Sequence, residues 1–93
     1  MAITFKFPLG EIVITDGAHS ALQECAISPL FLLFRHRQGN WGEISSEDQQ
    51  ENDRAVVEGN RVLSVYPLQD DLRIWIITEA DRTVTTLLLP EEY

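Results

Sequence analysis

The chain has one cysteine, Cys25. A lone cysteine cannot make an internal disulfide, so a disulfide scaffold is excluded, and a reducing compartment fits. Long apolar runs are missing too. None approaches the roughly 20 residues that a membrane-spanning helix needs. The start, Met1 to Pro8, lacks the charged head, apolar middle and small-residue cleavage site of a signal peptide. The expectation is a cytoplasmic protein with no membrane partner. Basic residues are scarce: seven Lys and Arg stand against fifteen Asp and Glu, a formal net charge of -8. Nucleic-acid backbones are usually met by Lys and Arg, so direct nucleic-acid binding is not expected. Such a surface favours solubility and basic partners.

The usual signatures of chemistry are also absent. His19, Cys25 and His36 are the main candidate metal ligands, but they form no CxxC or HExxH spacing, and no metal is expected. Cys25 reads as a core residue and His36 as positive charge at a helix end. There is no GxSxG elbow, no GxxxxGK[ST] and no GxGxxG, so neither a serine nucleophile nor a phosphate cradle is signalled. No cofactor and no catalytic residue is assigned.

What is present is a small globular domain. Ninety-three residues make one domain, 1–93, and 44% hydrophobic with 24% charged residues argues against disorder. A chain of this size buries roughly 60–65% of its unfolded surface, enough for one modest core.

The alternation of Ile3, Phe5 and Phe7 predicts a strand over 3–7, and Glu11 to Thr15 predicts a second. The two form a hairpin, or the first is an arm. Thr15 or Asp16 can cap a helix over about 17–26, with Ala18, Ala21, Leu22 and Cys25 on one apolar stripe. Ser28-Pro29 starts a second helix over about 29–38. Leu30 to Phe34 are apolar nearly all round, which predicts the most buried helix. Ser45 or Ser46 caps a third, and Ser46 with Gln49 has the spacing of a capping box. Asn52, Ala55 and Val56 line its narrow inner face, and Gly59-Asn60 ends it. Three strands close the chain: 61–68, halted by Pro67, then 72–78 and 83–89. The predicted class is α+β: an antiparallel sheet of three to five strands, with a C-terminal three-stranded meander and about three helices packed on it. In the strand over 72–78 both faces are partly apolar, as in a strand covered on both sides.

The main surface feature is acidic. Glu43, Glu47, Asp48, Glu51, Asp53 and Glu58 meet one base, Arg54. A solvated face is one reading. The functional reading is a docking face for a basic protein surface, with Trp41, Glu43, Glu47, Asp48, Glu51 and Asp53 as partner-binding residues. Trp41 is its aromatic anchor or, alternatively, a lid over the core. Glu79, Asp81 and Arg82 crowd the last turn. They read as ordinary turn residues or as the acid–base groups of a small toxin-like nuclease.

Three stretches resemble a known group: Asn40-Trp41-Gly42-Glu43, then Glu47 to Asn52, then Ile74 to Arg82 with Leu88 to Tyr93. The group comprises small bacterial proteins of plasmids, integrative elements and prophages, some labelled as restriction–modification related. The resemblance implies a bacterial mobile-element setting. It carries no activity and no residue roles. The expected function is a non-enzymatic interaction module, in defence or counter-defence, docking on a basic partner. The alternatives are a small enzyme and a self-associating structural protein.

Overall fold

The computed structural model describes residues 4–93. Its elements follow in order: β1 (Glu11–Ile14), α1 (Asp16–Glu24), α2 (Pro29–Arg37), α3 (Ser46–Glu58), β2 (Val62–Gln69), β3 (Leu72–Thr78) and β4 (Val84–Leu88), with a final 3-10 turn over Pro90–Glu92. The class is α+β, with three helices and four strands among the described residues.

Each helix starts where a short polar side chain can satisfy an orphan N–H. Thr15 accepts from Ala18 N, Ser28 from Leu30 N and Ser45 from Asp48 N. Ser45 is therefore the third cap. Ser46 is already helical, and the predicted Ser46–Gln49 box does not form. Gly59 ends α3 in the left-handed conformation, at φ 78°.

The sheet order is β1-β4-β3-β2. β3 is antiparallel to both neighbours, but β1 runs parallel to β4. The sheet is mixed, which corrects the antiparallel expectation. Short turns dictate direction only for strands adjacent in sequence. The three helices lie between β1 and β2, so the chain reaches the far edge first and returns to β1 from inside the sheet. The predicted first strand is corrected as well. Ile3 lies outside the described residues, and 4–10 form no strand. Instead Lys6 N donates to Arg37 O, and Phe7 is buried against His36 and Trp41.

β2 runs through Pro67 rather than halting there, with a register shift between Pro67 and Gln69. Along this edge strand Leu63 and Val65 turn their backbone groups outward. Pro67 shares that orientation, so its missing N–H removes no bond to β3.

One face of the sheet carries Tyr66, Ile74, Ile76 and Leu87, all 0% exposed, against Ala18, Ala21 and Leu22 of α1 and Leu32 and Leu33 of α2. A second apolar cluster joins Phe7, Trp41, Ala55 and Val62 beneath α3. α2 is the most buried of the three helices, as expected, but it is not covered all round. Its buried residues are Leu32, Leu33 and His36, while Leu30 is 74% and Phe31 60% exposed.

Candidate functional site

The N-terminal end of α3 and the loop before it border the edge strand β2. Between them lies a hollow of about 430 Å3. Its apolar lining is Ile44, Leu63, Val65 and Trp75, and Glu43, Asp48 and Glu51 supply its carboxylates. Asn52 fixes the helix to the strand. Its Nδ2 donates to Leu63 O at 2.7 Å, and its Oδ1 accepts from Leu63 N at 3.2 Å. The preceding loop is tied down the same way: Val65 N donates to Trp41 O, and Glu43 N to Val65 O. The helix dipole favours acids in this first turn, so Glu47 and Asp48 cost the fold little.

The predicted partner-binding residues divide accordingly. Glu43, Asp48 and Glu51 come together around the hollow. Glu47 and Asp53 are exposed but do not line it. Trp41 is 3% exposed, stacks on Phe7 and donates from Nε1 to Asp53 at 3.0 Å. Its burial corrects the anchor reading: it is a lid over the core. The aromatic side chain at the hollow is Trp75, half-buried and edge-on to Tyr93 at 5.5 Å. Its signal in the sequence was the second apolar face of its strand. The acids are partly compensated, since Glu43 pairs with Arg73 at 2.7 Å and Glu51 with Arg54 at 2.5 Å. Among the described residues no ion pair engages Asp48. The hollow can take an apolar side chain on its floor and a cation at its rim.

Glu79, Asp81 and Arg82 do not form an acid–base cluster. Arg82 donates to the carbonyls of Ala55, Asn60 and Glu79. It thereby supplies the positive charge that the end of α3 lacks. Asp81 accepts from the backbone N–H and hydroxyl of Thr83, which hold its carboxyl below the usual range.

His36 is likewise not exposed charge at a helix end. It is 0% exposed, with Nδ1 2.5 Å from Ser64 Oγ and Nε2 2.9 Å from Thr78 Oγ1. Thr85 donates to Leu9 O, so its oxygen accepts from Thr78. Thr78 then accepts from Nε2–H, and Nδ1 accepts from Ser64. Burial, reinforced by the Arg82 guanidinium, lowers the His36 pKa to about 3 and keeps the ring neutral. Among the described residues no group of His, Cys, Asp and Glu side chains could hold a metal, and no helix is long and apolar enough to cross a membrane. No protein-family model, curated protein or solved structure matches the chain.

Proposed function

We propose that this protein is a non-enzymatic interaction module that takes a basic segment of a partner protein into the hollow between α3 and β2. The observation that carries this reading is the pairing of an apolar floor, Leu63, Val65 and Trp75, with the carboxylates of Glu43, Asp48 and Glu51. An aromatic at such a site supplies contact energy, and surrounding charge supplies orientation and encounter rate. An arginine or lysine suits it, because its aliphatic stem lies on apolar surface while its head reaches a carboxylate. The overall charge of -8 works in the same direction. The resemblance in sequence adds a setting: a bacterial mobile element, with a defence or counter-defence protein as the basic partner.

The test is a titration with a synthetic peptide of alternating arginine and leucine, followed by tryptophan fluorescence and backbone amide shifts. Shifts at Leu63, Val65 and Trp75 are expected. Glu43→Lys, Asp48→Lys and Glu51→Lys together should weaken binding by at least about tenfold, near 1.4 kcal/mol. Added salt should weaken it further. Equal affinity for the native and charge-reversed proteins would remove the hollow as the docking site.

A further inference from the structure

A sheet edge presents backbone N–H and C=O groups that pair with any extended chain offered to them. At the β2 edge they are occupied at Leu63 by Asn52, and at Val65 by Trp41 and Glu43. At the β1 edge no described residue occupies them. Glu11 N donates to Thr83 O, and Thr15 N to Leu87 O. In a parallel ladder of this register, alternate residues Glu11, Val13 and Thr15 face β4. Ile12 and Ile14 therefore turn their backbone groups outward, where nothing among the described residues meets them.

Two hollows flank β1 on the helix side. One, of about 270 Å3, is lined by Phe5, Ile12, Leu30 and Phe34; the other, of about 340 Å3, by Ile14, Leu22, Ile27 and Pro29. Each contains one of the two β1 side chains that face the helices. Those side chains stand two residues apart, about 6.6 Å along the strand. Phe5, Ile12, Leu30 and Phe34 are each at least 40% exposed, as is Val13 on the strand itself. At about 200 Å2 for a full aromatic side chain and somewhat less for an aliphatic one, these five expose on the order of 400 Å2. That is about half of the roughly 800 Å2 per partner in a standard interface, before the strand backbone is counted.

We propose that two copies of this chain pair β1 against β1 about a two-fold axis, joining their sheets into one. The hollows suit branched apolar side chains, two residues apart, on an extended segment. β1 is such a segment, so the surface is complementary to itself. A two-fold makes the new pair antiparallel. Because Ile12 and Ile14 point their backbone groups outward, Ile12 pairs with Ile14 of the second copy, and Val13 stands opposite Val13. No like charges face each other in this register. The acidic helix α3 packs at β2, three strand spacings or about 14 Å away, beyond the Debye length of about 8 Å at physiological salt.

Light scattering over a concentration series should show the mass doubling, with association strengthened by salt as the net charge is screened. Ile12→Pro removes an outward N–H that the monomer does not use, and proline is tolerated at a sheet edge. It should raise the concentration for half-association at least about tenfold with an unchanged circular dichroism spectrum. In a Cys25→Ser background, Val13→Cys should form an intermolecular disulfide under mild oxidation. Thr86→Cys, one strand further in, should not, because disulfides require Cα atoms within about 7 Å. The disulfide result decides the matter if Ile12→Pro fails to fold. A monomer at every concentration, a dimer undiminished in folded Ile12→Pro, or linkage through Thr86→Cys but not Val13→Cys would overturn the proposal. So would a monomer that captures an added peptide of alternating isoleucine at β1, which would make a foreign strand the occupant.

Discussion

The β2 side and the β1 side of this molecule are finished by different means. On the β2 side polar groups close the structure. Asn52 and the Trp41–Glu43 segment occupy the strand edge, and His36, Ser64, Thr78 and Thr85 form a hydrogen-bonded chain in the interior. On the β1 side Ile12 and Val13 are 40% exposed, and α2 presents Leu30 and Phe34 outward. Hydrogen-bonded closure is directional, so it depends on a few exact residues and keeps added strands off the edge. Apolar closure is tolerant of exchange and remains available to them. The difference predicts that single substitutions should be costly at β2 and cheap at β1.

The largest expected effect is one of pH. In the unfolded chain His36 titrates near 6.5, while in the folded protein its pKa is about 3. Between those values the unfolded state binds a proton that the folded state refuses. The contribution is complete above pH 6.5 and falls as the pH drops, by about 1.4 kcal/mol per unit and up to about 5 kcal/mol at pH 3. Urea unfolding at successive pH values should show this slope, and His36→Gln should flatten it. An unchanged slope in the variant would assign the acid sensitivity elsewhere and detach it from the polar interior.

Gly42→Ala should follow, at about 3–4 kcal/mol. Gly42 has φ 83°, and a Cβ there would lie 2.0 Å from Val65 O, against the edge that it seals. A loss near zero would show that the loop can leave β2 without consequence. Asn52→Ala should cost about 2 kcal/mol, because both backbone groups of Leu63 lose their partner. It should also make the β2 edge adhesive. New concentration-dependent association in light scattering would make the two edges alike; its absence would mean the loop alone suffices. The smallest effect belongs to β1. Val13→Thr, exposed and β-branched like the native residue, should change unfolding by no more than about 0.5 kcal/mol. A much larger loss would reveal closure on this side that the geometry does not display.

Much of the local structure was legible in the chain. Thr15 and Ser28-Pro29 announced their helices, and the alternation through Leu72–Thr78 announced β3. Asn52, Ala55 and Val56 were correctly placed on the inner face of α3. The candidate site was legible in part. Its acids stood out by charge, but of the two readings open for Trp41 the structure takes the lid, and Trp75 was not singled out for the site. One indole lies under a loop and helix, and the other stands on the less covered sheet face; nothing in the flanking residues distinguishes them.

Composition and local pattern are properties of neighbouring residues, so the acidic balance, the helix starts and the strand periods follow from the chain alone. Direction, coverage and protonation are properties of residues brought together from afar. The parallel pairing of β1 with β4, the exposure of Leu30 and Phe31 on α2, the burial that neutralises His36 and the role of Arg82 at the end of α3 all arise from contacts between distant segments. Among the described residues those contacts seal one edge of the sheet and not the other, because α3 and its preceding loop reach only β2.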